Sequence, residues 1–404
     1  MDIPGKIDQW LVKRLLAVVG NPPVSVELAD GSKVLAEGTK EPEVRLQLHD
    51  RKALYALLHR PTLTFGELFS EGRLSVDGDI TRALDVIYSG VLSSERESGT
   101  TRRLTRQLFQ KRPEQNTVNR SRENIHTHYD LGNEFYELWL DKDYTQYTCA
   151  YYATPEATLE EAQAAKLELV CRKLALQPGE IVVEAGGGWG GLARYLARNY
   201  GVRVRSYNIS KEQVAYSRQR AEAEGLGNAI EYVEDDYRNI TGRYDAFVSV
   251  GMLEHVGFDS YRTMGATIDR CLKDNGRGLV HSIGQNIPRP MNEWISSYIF
   301  PGAYPPTLRQ MMDIFEPIGF SVVDVENLRP HYAQTLKHWR ERFEANSDKV
   351  QDLFDERFVR AWRLYLSGSV SAFTTGQLQL FQVLFQRPGS TALPITRERL
   401  FANG

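Results

Sequence analysis

The sequence predicts an α/β chain built on a mostly parallel, doubly wound sheet, preceded by a smaller α+β module. Three observations carry that reading. A buried apolar run, Val182-Val183-Glu184-Ala185, breaks into glycines at Gly186-Gly187-Gly188-Trp189-Gly190-Gly191 and re-emerges as a helix. Further β-type runs follow at residues 202–210, 230–233 and 244–250, with polar residues gathered at their carboxyl ends. The chain is also long, with 404 residues that are 42% hydrophobic and 25% charged, enough for a large core and two domains.

The amino-terminal module is read in order. Residues 9–19 have helical periodicity, and residues 24–48 alternate apolar and polar around Asp30-Gly31, a hairpin signal. Residues 50–59 read as a helix and residues 64–77 as a loop-and-helix region. We place this module at 1–100, a linker at 101–123, a second domain at 124–390 and a tail at 391–404. The linker carries seven Lys or Arg against two Glu, with Leu104, Leu108 and Phe109 at near-helical spacing. Such a segment can rest on anionic headgroups, each cation contributing about 1 kcal/mol. Lys111-Arg112-Pro113-Glu114-Gln115-Asn116 equally suits a solvated linker, and both readings stay open.

The glycine run predicts a cofactor loop at Gly186, Gly188 and Gly190, because glycine turns sharply and lets a ligand approach the main chain. A dinucleotide site would place an acid at the end of the next strand, about 20 residues on. That strand ends instead in Asn208 and Ser210, with Gln213 opening the following helix. The third strand runs into Asp236-Tyr237, an acid and an aromatic that suit an adenine by hydrogen bond and ring packing. These positions, with Glu184 at the end of the first strand, predict S-adenosylmethionine. They lie at the carboxyl edge of the sheet, where open α/β folds bind ligands.

At this point the chain resembles the cyclopropane-fatty-acyl-phospholipid synthases and the related mycolic acid methyltransferases. The resemblance covers residues 124–386. It rests on His128-Tyr129-Asp130-Leu131-Gly132-Asn133, Tyr147-Thr148-Cys149-Ala150-Tyr151-Tyr152, the glycine loop, Met252-Leu253-Glu254-His255-Val256-Gly257, His281-Ser282-Ile283-Gly284, residues 294–301 and His331-Tyr332-Ala333-Gln334-Thr335-Leu336. The chain departs from the family where Glu184-Ala185-Gly186-Gly187-Gly188 replaces Asp-Ile-Gly-Cys-Gly, and Asn208-Ile209-Ser210 replaces Thr-Leu-Ser or Thr-Ile-Ser. The resemblance implies a Rossmann-like class I methyltransferase core with seven strands, the last two from residues 320–325 and 378–385. It also implies cofactor contacts at Tyr147 and Thr148. The residues of the amino-terminal domain suit a structural cap, and the resemblance implies that this domain helps meet phospholipid.

The chemistry such an enzyme needs follows from its substrate. A cis alkene is a poor nucleophile, so the methyl donor must be reactive and the site must tolerate a cation. Ring closure then needs a base beside a water-excluded, apolar pocket. The resemblance implies a bound bicarbonate as that base, held by Cys149, Glu254, His281 and Tyr332 and by the backbone N–H of Ile283. Glu254 would accept the anion's O–H or orient His281, while His281 and Tyr332 donate. His255 beside Glu254 is read as completing the turn. The aromatics of residues 129–152 are read mainly as core, and the apolar helix at residues 294–300 as a cover for an acyl chain.

A formal net charge of −3 argues against nucleic acid as a partner. The sequence shows no run of about 18 uncharged apolar residues and no leader pattern, which predicts a cytoplasmic protein working peripherally on the inner face of the membrane. Its partners would be unsaturated phospholipid acyl chains, with a homodimer left open. Cys149, Cys171 and Cys271 are odd in number and, like the eight His, have no metal-ligand spacing, so no metal is expected. Three readings result: a cyclopropane-forming enzyme, a methyltransferase giving a methylene or methyl-branched chain, or a lipid-binding protein that has lost activity. Ser369-Val370-Ser371, where some family members carry Ala-Cys-Ala, keeps the second branch open.

Overall fold

The computed structural model describes residues 3–97 and 131–401. The basic linker at 101–123 and the His128-Tyr129-Asp130 motif lie outside the described residues. The chain divides into two compact units. Of the described residues, the first takes 3–97, 289–299 and 336–377, and the second takes 131–288, 300–335 and 378–401. The sequence reading drew one boundary and a continuous second domain, whereas the first unit draws on two later stretches.

The first unit opens with α1 (Ile3–Val18), β1 (Val24–Glu27), β2 (Lys33–Leu35), β3 (Val44–Leu48), α2 (Arg51–His59), α3 (Pro61–Ser70), β4 (Leu74–Asp77) and α4 (Ile80–Glu97). Its sheet runs β2-β1-β3-β4. The β1–β2 hairpin turns at Asp30-Gly31 as expected, with Gly31 at φ +81°. Asp50 caps α2 through the Ala53 N–H at 2.9 Å and also takes a two-pronged contact from Arg73 at 2.8 Å. The Arg73 guanidinium accordingly pulls the Asp50 carboxyl down to about 2.

The second unit contains α5 (Asn133–Glu137), α6 (Leu159–Leu174), β5 (Ile181–Ala185), α7 (Gly191–Tyr200), β6 (Arg203–Asn208), α8 (Lys211–Ala223), β7 (Ile230–Glu234), β8 (Tyr244–Val250), α9 (Tyr261–Cys271) and β9 (Leu272–Gly284). In chain order α10 (Glu293–Tyr298) belongs to the first unit. It is followed by α11 (Leu308–Met311), β10 (Ser321–Asn327), α12 (Arg329–Ala345), α13 (Ser347–Leu353), α14 (Glu356–Thr375), β11 (Gln379–Gln386) and α15 (Glu398–Phe401). The seven strands lie in the order β10-β11-β9-β8-β5-β6-β7. β5, β6, β7, β8 and β9 pair in parallel, and β11 runs antiparallel between β9 and β10. This is the mostly parallel, seven-stranded sheet predicted.

Both faces of the sheet are covered, which is why its strands read as apolar runs rather than alternating ones. Val182, Val204, Val248, Leu279 and Leu384 pack on one face with α6 and α7, and Val183, Phe247, Val280, Val383 and Phe385 on the other with α9. Period-2 alternation therefore puts Glu184, His281 and Gln382 on the α6 face. The tail is tied to this unit: Arg399 of α15 donates to the Arg172 carbonyl of α6 at 2.9 Å.

Trp294 and Tyr298 of the segment expected to cover an acyl chain, and Ser371 of the stretch that keeps the methyl-branched reading open, serve packing in the first unit. Trp294 is buried on α3, where a Cβ on Gly66 would lie 2.3 Å from the indole, and Tyr298 donates to Glu67 at 2.7 Å. Ser371 of α14 donates to the Thr81 carbonyl of α4 at 3.0 Å. The apolar character of the 294–300 helix and the Ser369-Val370-Ser371 stretch thus have packing roles there.

Candidate active site

The site is built from the glycine loop outward. After β5 the chain turns through Gly186, Gly188 and Gly190, at φ +88°, +52° and +73°, conformations that L side chains rarely adopt. The N–H groups of Gly186 and Gly187 donate to the Tyr207 carbonyl of β6 at 2.9 and 3.1 Å, which pins the loop to the neighbouring strand. Gly187 must be small, since a Cβ there would lie 2.1 Å from Ser206 Oγ. A Cβ on Gly190 would meet Tyr232 Oη at 2.6 Å. Gly188 differs, with nothing within 4 Å of that position. That is the fit a cofactor passing against the main chain requires.

Beneath the loop, Glu184 is buried and accepts from Ser206 Oγ at 2.6 Å. Burial pushes its carboxyl up to about 7. At the end of β6, Asn208 donates to the Gly188 carbonyl at 3.0 Å and to Gln213 Oε1 at 2.9 Å, while Ser210 caps α8 by accepting from the Gln213 N–H at 3.3 Å. These three predicted residues hold one another and the loop. Asp236 is buried and receives Arg238 through Nε at 2.7 Å and Nη2 at 3.0 Å, and Tyr237 packs into the core. The structure therefore gives both residues of the predicted adenine pair protein partners of their own.

An aromatic cluster meets the loop at Trp189. Tyr136 lies 4.8 Å from Trp189 and 5.6 Å from Tyr147, and Trp139 meets Tyr147 at 5.1 Å. Trp189 Nε1 donates to Asn133 Oδ1 at 2.8 Å, fastening α5 to the loop. Phe300 lies 6.4 Å from Tyr147 and 5.7 Å from His255, so of the 294–300 segment it is Phe300 that reaches this region.

Of the predicted base-holding residues, Glu254, His281 and Ile283 meet at the ends of β8 and β9. Oε1 of Glu254 accepts from the backbone N–H of Ile283 at 2.5 Å, and Oε2 is buried with no partner. The Ile283 N–H, expected to serve the base directly, is thus turned to Glu254, because that carboxylate lies across the end of β9. Burial raises Glu254 to about 7. His281 Nδ1 faces Gln382 Nε2 at 3.0 Å, and its Nε2 is buried with no partner. Cys149 is buried, and its Sγ donates to the Ala150 carbonyl at 3.1 Å and, weakly, to that of Leu328 at 3.9 Å. The Leu328 carbonyl also accepts the Tyr332 N–H at 3.2 Å, so the Cys149 thiol lies at the start of α12, the helix that carries Tyr332. Desolvation pushes the Cys149 thiol far up, so it stays protonated and is no nucleophile. The donor set fits a small oxyanion with an O–H. A carboxylate oxygen can accept, and a neutral imidazole can donate.

The sequence reading missed a row of polar residues on the buried face of α6. Gln163, Lys166 and Lys173 are all buried there. Lys166 Nζ bonds Gln146 Oε1 and, at 3.0 Å, Thr148 Oγ1, and Gln163 donates to the Thr148 carbonyl at 2.8 Å. Burial lowers Lys166 to about 8. The signal was present: polar residues at positions 163, 166 and 173 share the spacing of Leu159, Leu167, Val170 and Leu174.

Sheet order, glycine loop and the acid beneath it together define a class I S-adenosylmethionine-dependent methyltransferase. Residues 116–383 match the family described as mycolic acid cyclopropane synthetase, and residues 11–98 match a domain of unknown function. The chain belongs to the mycolic acid cyclopropane synthetase family. It is 36% identical to a probable fatty acid methyltransferase of Pseudomonas putida, over 94% of this chain and 96% of that one. It is 35% identical to the cyclopropane-fatty-acyl-phospholipid synthase of Escherichia coli strain K12, over 93% and 95% of the two chains. Among solved structures, the mycolic acid cyclopropane synthase CmaA1 complexed with SAH and CTAB superposes with a TM-score of 0.63 at 30% identity, covering 66% of this chain and 98% of that one.

Proposed function

We propose that this methyltransferase converts the cis double bond of an unsaturated phospholipid acyl chain into a cyclopropane ring, with a bound bicarbonate as base. The observation that carries the reading is the pair of buried, unpartnered polar atoms, Glu254 Oε2 and His281 Nε2, at the carboxyl edge of the sheet. Two such atoms without partners are costly to bury unless a polar ligand joins them. When bound, S-adenosylmethionine supplies a methyl group on a sulfonium, and bicarbonate supplies an oxygen that takes a proton.

The chain's own residues do the rest. Gly188 leaves the loop open to the cofactor, and Glu184, Asn208 and Gln213 set the loop's shape. Glu254 Oε2 accepts the anion's O–H, His281 and Tyr332 donate to its oxygens, and Cys149 closes the wall as a packed thiol. The Ile283 N–H acts through Glu254 by fixing its orientation. Tyr136, Trp139, Tyr147 and Phe300 exclude water that would otherwise trap a cation. Asp236 and Tyr237 are proposed to meet the adenine with the edges that Arg238 and the core leave open.

Among the described residues no helix is long and apolar enough to cross a membrane. The proposed enzyme docks peripherally on the cytoplasmic face and draws one acyl chain in, with the amino-terminal unit as the docking module. A second reading, a methylene or methyl-branched product, is supported by the likeness to a fatty acid methyltransferase. Expression in a bacterial host lacking such an enzyme, followed by mass spectrometry of fatty acid methyl esters, decides between them. Cyclopropane esters support the first reading. Methylene or methyl-branched esters replace it with the second, and unaltered esters overturn both.

A further inference from the structure

We infer that Lys173 and Gln382 are positioning residues that fix His281 as an Nε2–H donor, so that His281 holds its ligand and does not act as the base. This positioning role deepens the proposed function and rests on that reading for what the donor is used on.

Three buried side chains form a line across two strands and a helix. Lys173 Nζ lies 2.7 Å from Gln382 Oε1, and Gln382 Nε2 lies 3.0 Å from His281 Nδ1. Gln382 and His281 are register partners on β11 and β9, so the sheet itself sets their meeting. An ammonium has donors only, whereas an amide has one accepting and one donating end. Lys173 therefore forces Gln382 to present its oxygen to the lysine and its NH2 to the imidazole. Nδ1 must accept, and the proton of a neutral imidazole must sit on Nε2, the nitrogen that is buried with no partner in the protein.

The line is anchored at its outer end. Burial lowers Lys173, whose side chain is 1% exposed, from its ordinary pKa, and Glu326 at 2.5 Å and Asp324 at 3.7 Å oppose that by favouring the ammonium, which has donors only. Burial and the positive charges of Lys166 and Lys173 hold His281 well below its ordinary pKa, so it stays neutral. A neutral histidine with Nδ1 accepting is a donor at Nε2. It suits an anion's oxygen and cannot take a proton there.

The test is the tautomer itself, read by long-range 1H–15N correlation on the full chain labelled at histidine, with His281 assigned by the signal lost in His281→Gln. The wild type is expected to show a protonated Nε2 and a bare Nδ1, and the opposite tautomer overturns the inference. In Gln382→Glu the carboxylate can only accept, so a proton should appear on Nδ1. Turnover should drop ten- to a hundredfold, about the loss seen for outer-shell partners of histidine ligands, with the KM for S-adenosylmethionine unchanged. Lys173→Met releases the Gln382 amide to rotate and should give a mixture of tautomers. If Gln382→Glu folds by circular dichroism and leaves the tautomer unchanged, the inference is overturned. If neither variant folds, the wild-type spectrum alone decides. The tautomer needs no substrate, so a locked Nε2–H in a chain that makes no cyclopropane ester costs the proposed function and leaves the inference standing.

Discussion

The Ile283 N–H donates to Oε1 of Glu254 at 2.5 Å, and the other oxygen of that carboxylate, Oε2, is buried without a partner. One oxygen is therefore structural and the other faces the chemistry. Glu254→Gln keeps an acceptor for Ile283 but replaces the other oxygen with an NH2, which cannot accept an O–H. Turnover should fall by two orders of magnitude or more, about the range for a positioned acid–base group, while S-adenosylmethionine binds as before. Normal turnover by the variant in bicarbonate-depleted buffer would remove Glu254 from the proposed base site.

The same burial has a pH signature. Glu254 and Glu184 are each raised from 4.5 to about 7 by desolvation. A carboxyl raised on folding favours the folded state below its unfolded value, and that advantage is lost as pH rises from 4.5 to about 7. Each could remove about 3 kcal/mol by pH 8. Lys166, lowered to about 8, acts in the other direction above this window, and His255 and His281, lowered by burial, act in the other direction within it, up to about pH 6.5. Glu184→Gln and Glu254→Gln should therefore each shift the change in melting temperature between pH 5 and pH 8 towards greater stability at the higher pH, relative to the wild type. Curves parallel to the wild type would mean that these acids ionise freely in the folded chain.

What the sequence made legible here is what is local. Gly186, Gly188 and Gly190 announce a turn because their conformations exclude side chains, and the sheet follows from apolar runs covered on both faces. Glu254 and His281 were legible through their motifs. Partnerships across long separations were not. Gln382 meets His281 only because β11 returns antiparallel beside β9, and neither residue's neighbours in sequence hint at the other. Periodicity shows that α14 has a buried face, with Val359, Trp362 and Leu366 inside, but not that this face belongs with the amino-terminal elements.

The loop glycines should separate by substitution. Gly187→Ala would drive a Cβ to 2.1 Å from Ser206 Oγ and 3.2 Å from Glu184 Oε2, so it should cost about 1–3 kcal/mol of stability through overpacking. A Cβ at Gly188 meets no protein atom within 4 Å, so beyond about 1–2 kcal/mol of backbone strain at φ +52° the effect of Gly188→Val should fall on the cofactor. Calorimetry should show at least about a tenfold loss of S-adenosylmethionine affinity in a cooperatively folded variant, equivalent to 1.4 kcal/mol. Full affinity would move the cofactor away from Gly188.

Membrane docking can be tested through the basic linker, whose charge is a fact of the sequence. Residues 102–123 hold seven Lys or Arg and two Glu in a chain of net charge −3, so positive charge is concentrated in this stretch of the sequence. Electrostatic attachment is screened by salt, with a Debye length of about 10 Å at 0.1 M. Sedimentation with vesicles should show tighter binding to anionic than to zwitterionic lipid, weakening as salt rises. Replacing Arg102, Arg103 and Arg106 with Gln removes three cations worth about 1 kcal/mol each at such a surface, which amounts to roughly a hundredfold in affinity at low salt. Binding that ignores lipid charge, salt and these three substitutions would make the segment a linker and shift docking to apolar surface elsewhere.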